Sequence, residues 1–229
     1  MSSPLIAIRR YPVKAMGGES LDAVRLDERG LAGDRWYAVV DADGRLACGK
    51  DSRRFRRRDG VFDHRAATGP DGAVSVTGPG GSWQVGEPAL DDALAAALGD
   101  RVRVLPEAAV RHQDAGAVSL VGTATLRWCA ERWGLEADPR RLRVNLLVET
   151  SEPFEEEEWV GQEVGLGEAR LRVVERIERC RTIDVAQDGT AARGRWLTPL
   201  AGERDMCVAV YADVARPGTV RVGDRITTV

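Results

Sequence analysis

Histidine is scarce in this chain: among 229 residues only His64 and His112 carry an imidazole, and they lie far apart. Four cysteines, Cys48, Cys129, Cys180 and Cys207, are widely spaced and form no Cys-x-x-Cys pair. These shortages exclude a zinc ribbon or an iron–sulfur cluster, whose ligands come in closely spaced sets. No apolar run approaches the roughly 18 residues of a spanning helix. The opening Met-Ser-Ser-Pro-Leu-Ile-Ala-Ile-Arg-Arg also lacks the charged-then-apolar order of a signal peptide. The expected location is therefore the cytoplasm, with all four cysteines as thiols. Excess charge of one sign is missing too. The formal net charge is −3, so neither nucleic acid nor a membrane is an expected partner. There is no Rossmann or P-loop glycine fingerprint, and no internal repeat.

What the chain does have is many short β-branched or alternating runs. Residues 5–9, 24–26, 36–40, 74–77, 102–105, 146–149, 169–174, 207–214 and 219–222 read as strands. Explicit turns such as Asp41-Ala42-Asp43-Gly44, Pro70-Asp71-Gly72 and Pro79-Gly80-Gly81 punctuate them. Two segments have helical spacing instead: 90–98, stopped by Gly99, and 123–133, where Leu126, Cys129, Ala130 and Trp133 share one face. Short, numerous strands with few helices predict a mostly β (α+β) protein built of barrels or sandwiches. The expected boundary follows the first helix and divides the chain into 1–104 and 105–229. The charge runs Arg53-Arg54-Phe55-Arg56-Arg57-Arg58 and Glu155-Glu156-Glu157-Glu158 read as solvated loops.

Chemistry concentrates in three separated segments. Lys14 lies in Tyr11-Pro12-Val13-Lys14-Ala15-Met16-Gly17-Gly18, followed by Arg35 in Gly30-Leu31-Ala32-Gly33-Asp34-Arg35-Trp36. Arg143 and Asn145 precede a strand, and Cys180 lies between Arg179 and Arg181. Flanking guanidinium groups favour a thiolate, the form that attacks electrophiles and binds soft metals. An ammonium and forked guanidiniums suit phosphate oxygens, and an amide suits a heterocycle edge. A phosphorylated heterocycle carrying a soft metal would use the whole set. Cys129 and Cys207 fit the ordinary role of core thiols, Cys48 is undecided, and the two histidines read as surface or hydrogen-bonded residues rather than ligands.

Taken in order, Tyr-Pro-Val-Lys, Gly-x-x-x-Asp-Arg-Trp, Arg-x-Asn and Arg-Cys, with Pro217-Gly218-Thr219-Val220-Arg221-Val222-Gly223-Asp224 near the end, resemble the MOSC superfamily. The name comes from the C-terminal domain of molybdenum-cofactor sulfurases. The resemblance is closest to the two-domain type that includes the mitochondrial amidoxime-reducing component and bacterial relatives. It implies an N-terminal β-barrel domain packed on a β-barrel-like MOSC domain, with molybdenum cofactor (molybdopterin) between them. It further implies Cys180 as the molybdenum ligand and catalytic residue, with Lys14, Arg35, Arg143, Asn145 and Thr123 binding the cofactor, the last at a helix start. Ala15 stands where relatives often have Ser. The implied activity is reduction of N-hydroxylated or N-oxide small molecules, with electrons from a separate ferredoxin- or cytochrome-type donor protein and its reductase. Alternatives are a persulfide carrier acting through Cys180, a non-catalytic molybdenum-cofactor carrier that holds pterin without turnover, and a family member that holds no cofactor as purified.

Overall fold

A computed structural model describes residues 3–191 and 195–228. The strands are Ser3–Arg10 (β1), Glu19–Leu21 (β2), Ala23–Asp27 (β3), Gly30–Leu31 (β4), Tyr37–Asp41 (β5), Leu46–Cys48 (β6), Phe55–Arg57 (β7), Arg65–Thr68 (β8) and Val74–Gly78 (β9). They continue with Gly81–Gln84 (β10), Val102–Pro106 (β11), Val118–Gly122 (β12), Leu146–Val148 (β13), Glu163–Leu166 (β14), Ala169–Glu178 (β15), Cys207–Arg216 (β16), Gly218–Arg221 (β17) and Arg225–Thr228 (β18). The α-helices are Pro88–Leu98 (α1), Thr123–Trp133 (α2), Pro139–Leu142 (α3) and Leu197–Glu203 (α4). Every strand and both helices expected from the sequence are present, and the protein is mostly β as expected.

Seven strands close into a barrel in the order β1, β13, β12, β16, β15, β14, β18 and back to β1. All these pairings are antiparallel except β12 with β13. Alternation in β15 sets its register: Ala169, Leu171 and Val173 are fully buried, while Arg172 faces solvent. Each buried Leu or Val contributes about 1.5–3 kcal/mol, and a one-residue slip would turn arginines into the core. Leu5, Ile8, Leu120, Val164, Val210 and Ile226 join the same core.

A second core fills the N-terminal lobe, between the four-stranded sheet β11-β5-β6-β7, the three-stranded sheet β10-β9-β8 and α1. Helix α1 buries Leu90 and Leu94, begins with Pro88 in its first turn and ends at Gly99, whose φ of 67° closes the last turn through a bond to the Ala95 carbonyl. A third cluster, around Trp196, Cys129, Leu142 and Ile183, supports the loop that carries Cys180.

The chain crosses between halves more often than a single cut at 104/105 implies. The first strand, β1, pairs with β13 and β18, and β3 pairs with β17, so the earliest residues complete structures built by the latest ones. The segment between β11 and β12 runs over the junction under a clamp: Arg54 donates to the carbonyls of Arg111, Gln113 (2.8 Å) and Asp114 (3.5 Å).

Both charge runs depart from the expectation of solvated loops, because their side chains fasten elements together. Arg58 pairs with Asp100, and Arg57 lies 3.2 Å from Asp59. Glu157 meets Arg204 at 2.6 Å and Arg176 at 3.1 Å, and Glu156 is completely buried. Both histidines are buried, and His64 is hydrogen-bonded as expected, its Nδ1 lying 3.1 Å from the Gly60 carbonyl.

Candidate functional site

A cleft of about 360 Å³ opens where the N-terminal lobe meets the barrel. Lys14, Arg35, Arg143, Asn145 and Cys180 all line it, so four of the five expected cofactor-binding residues converge on the expected metal ligand. Cys48, Asp114, Arg179 and Tyr211 line it as well.

Local backbone geometry aims the cations. Beyond β1 the chain runs extended through Pro12 and Val13; the Lys14 amide donates to the Tyr37 carbonyl (2.8 Å), and the Arg35 amide to that of Tyr11 (2.7 Å). Ala15, Arg35 and Arg143 have φ of 68°, 50° and 54°, in the left-handed region that costs a non-glycine residue about 1–2 kcal/mol. Three such residues in one cleft mark a wall held in shape by its surroundings. Tyr11, fully buried, is the pillar: its ring centroid lies 4.4 Å from the Arg143 guanidinium and 4.9 Å from that of Arg35.

The cations differ in how their charge is met. Arg35 bonds Asp34 and donates to the Arg143 carbonyl (2.9 Å); burial opposes its charge, but Asp34 and Tyr11 outweigh it and hold its pKa above the usual value. Lys14 pairs with Asp114 at 3.0 Å, yet burial still pulls the ammonium pKa down. At Asp114 burial pushes up, but Lys14, Lys50 and Arg35 together hold the carboxyl well below the usual range.

Arg143 and Arg179 find no carboxylate among the described residues. Arg143 donates to the Met16 carbonyl (2.7 Å) and to Gln187 Oε1 (3.3 Å), and burial, with Arg35 adding repulsion, lowers its pKa to about 10. Arg179 bonds the Leu142 carbonyl, and its pKa is likewise pulled down by burial. A partly desolvated cation without a counterion is costly, so an anion beside either guanidinium would be stabilised.

Cys180 precedes a 3-10 turn at Arg181–Asp184; it is half-buried, and its Sγ lies 3.4 Å from Thr182 Oγ1. Its two flanking arginines are not equivalent. Arg181 is engaged by Asp59 at 2.6 and 2.8 Å and by the Gly49 carbonyl at 3.1 Å, which leaves Arg179 as the flanking cation that lines the cleft.

Asn145 lines the cleft, but its amide is already in use. Its Oδ1 accepts from the Ser119 amide (3.1 Å) and hydroxyl (2.9 Å), and its Nδ2 donates to the Arg9 carbonyl (3.2 Å). It therefore ties β1 to β12 and positions the wall, with one donor hydrogen left for a ligand.

Thr123 is not in the cleft. It opens α2, where its hydroxyl accepts from the Thr150 amide (3.2 Å). The anion expected at this helix start comes from the chain itself. Glu156 accepts from the Thr125 hydroxyl (2.9 Å), and a Cβ on Gly122 would lie 2.6 Å from its carboxylate. Burial pushes the Glu156 pKa up against hydrogen bonds from the Glu156 and Gly122 backbone and from Thr125.

Sequence comparison decides the family. The MOSC domain family matches residues 107–227, more than half of the chain, and the MOSC N-terminal beta barrel domain family matches residues 2–81. The chain belongs to the MOSC family. In this MOSC protein both matched regions line the cleft, with Lys14 and Arg35 from one and Arg143 and Cys180 from the other. A crystal structure of the YuaD protein from Bacillus subtilis is 15% identical over 99% of this chain and 94% of its own, with a TM-score of 0.51, a likeness of fold. YiiM from Escherichia coli is 14% identical over 100% of this chain and 70% of its own, with a TM-score of 0.48. A search of the curated proteins finds no match. Membership of the MOSC family is consistent with molybdenum-cofactor binding in general. Among the described residues no helix is long and apolar enough to cross a membrane.

The sequence pattern left Cys48 undecided and gave no sign of Asp114 or Tyr211. Asp114 follows an unpatterned stretch, and Tyr211 sits in a run whose alternation reads only as strand. Neither carries a local signal of its role; the barrel brings them to the cleft.

Proposed function

We propose that this MOSC protein binds molybdenum cofactor in the cleft and reduces N-hydroxylated or N-oxide compounds there, with electrons supplied by a separate redox protein. The observation that carries the reading is the convergence of Lys14, Arg35, Arg143 and Cys180 on one cavity, with two guanidiniums lacking carboxylate partners among the described residues. The donor set fits the group: Arg143 and Arg179 would meet phosphate oxygens, Lys14 and Arg35 would extend the cationic wall, and Cys180 would reach the metal. When bound, the cofactor supplies the two-electron centre at which the substrate N–O bond is cleaved. The chain supplies the rest. Cys180 fixes the orientation of the centre, Tyr11 and Asn145 hold the wall, and Tyr211, kept protonated by burial, offers a proton at its hydroxyl. Reduction consumes two electrons and two protons and releases water, so a proton source in the cleft is required.

The test is metal and pterin analysis of protein from a molybdenum-competent host, followed by turnover of benzamidoxime with a reduced viologen donor. Stoichiometric molybdenum, lost in Cys180→Ala together with turnover, is the expected result. Wild-type protein without molybdenum would overturn the reading, and a stable sulfur addition at Cys180 in its place would assign the persulfide chemistry instead. Bound pterin with no turnover would leave a cofactor carrier.

A further inference from the structure

Cys180 is not the only thiol in the cleft. Cys48, at the end of β6, lines the same cavity from the N-terminal lobe, with only 7% of its surface exposed. The two cysteine-bearing segments touch directly across the domain junction. Arg181 donates to the Gly49 carbonyl (3.1 Å), and a Cβ on Gly49 would sit 2.5 Å from Thr182 Oγ1, the atom that Cys180 Sγ approaches at 3.4 Å. Only a glycine lets the backbone beside Cys48 come this close to the Cys180 turn.

Cys48 packs in the N-terminal core and also lines the cavity. Its Sγ lies 3.4 Å from the Lys50 carbonyl, and the Lys14 and Lys50 ammonium groups act on it. Burial raises its pKa, and that hydrogen bond and those two charges offset the rise only in part. Cys129, by contrast, is fully buried in the core under α2, where burial pushes its pKa up to about 12. One thiol is sealed in a core. The other opens on a cavity that already holds a thiol.

We propose that Cys48 and Cys180 act together as a two-thiol site spanning the cleft, so that a soft metal centre reached by Cys180 takes a second sulfur ligand from Cys48. Soft metals prefer thiolates, and each thiol gives up its proton to solvent as the metal–sulfur bond forms. Among the described residues no group of three or more potential ligands gathers anywhere, so such a centre keeps open positions for ligands that arrive with it. This rests on the cleft being the metal site, but not on the reduction reaction.

The test uses the full chain from a host unable to make the cofactor, titrated with cadmium(II) alone and followed by sulfur-to-cadmium charge-transfer absorbance. One cadmium per chain is expected, with affinity falling more than tenfold in Cys48→Ser and in Cys180→Ser and unchanged in Cys129→Ser and Cys207→Ser. Retention of wild-type affinity in Cys48→Ser would overturn the proposal. A second measurement needs no substitution: phenylarsine oxide condenses with two thiols, losing its oxygen as water, and forms a bridged adduct. Peptide mapping should find one adduct joining the Cys48 and Cys180 peptides; an adduct on another pair, or none, counts against the site. If cadmium binds through both thiols while molybdenum is absent from the protein made in a competent host, the reductase reading fails and the two-thiol site stands. Stoichiometric molybdenum in wild type and in Cys48→Ser, with no cadmium site, removes the two-thiol site and leaves the cofactor cleft intact.

Discussion

Two places in this molecule could take an anion, and they are finished in opposite ways. At the start of α2, Glu156 is folded in from the barrel and meets the Thr125 hydroxyl and the neighbouring backbone. In the cleft, Arg143 and Arg179 are partly buried and are offered only carbonyl and amide oxygens among the described residues. A helix start attracts negative charge by its own geometry, and here the fold fills it with a buried carboxyl group hydrogen-bonded to Thr125. The cleft keeps its demand open for a ligand. An anion site is thus recognised by what is left unpaired, and not by the presence of donors.

Breaking the open side should have the largest effect. Arg143→Met keeps most of the stem packing against Tyr11 but removes the charge. With about 1.5–3 kcal/mol for charged hydrogen bonds, cofactor retention should fall about 10- to 150-fold, read as pterin and molybdenum per chain after dialysis. Chemical denaturation of the cofactor-free variant should show stability within about 1 kcal/mol of wild type, or above it, because an uncompensated cation has gone. A marked destabilisation would mean that Arg143 is structural.

The closed side should behave in reverse. Glu156→Ala strips the partner from Thr125 and from the start of α2, and should cost about 2–3 kcal/mol in denaturant unfolding. Cofactor content per folded chain should be unchanged, and a loss in proportion to that of Arg143→Met would erase the contrast.

A pH series sharpens it further. The folded-state pKa of Glu156 is raised, so between the ordinary glutamate pKa, near 4.5, and its raised value the folded protein holds more protons than the unfolded chain. This residue's contribution to stability is therefore complete below pH 4.5 and declines as pH rises through that window. Stability of Glu156→Gln, measured by denaturation at several pH values, should lack this decline. The smallest effect is expected for Thr123→Ala, about 1 kcal/mol from the orphaned Thr150 amide, with no change in cofactor content.

The expected strands were legible because alternation and turn residues speak locally, and 90–98 and 123–133 announced themselves as helices by spacing, the first also by Gly99. The cationic wall was legible only as an ordered set of motifs. What stayed hidden depends on burial and partners. Nothing local distinguishes Arg143, which has no carboxylate partner among the described residues, from Arg181, which Asp59 satisfies from 122 residues away. Likewise a run of four glutamates reads as solvent-facing until the barrel encloses Glu156, and the arginines at 53–58 read as free until the segment under Arg54 is in place. Cys48 falls between these cases, since its thiol acquires meaning only from the wall it faces.

The way β1 closes the barrel carries a consequence for how the molecule forms. Ser3 pairs with Ile226 and Leu5 with Val148, so the first strand made finds its partners only when nearly the whole chain is available. Pairings this remote in sequence slow folding, and the early strand must wait with its edges open while synthesis proceeds. Tyr11, Lys14 and Ala15 follow directly from that strand, so one wall of the cleft comes into being in the same late event. That wall is therefore complete only once the first strand has met partners from the far end of the chain.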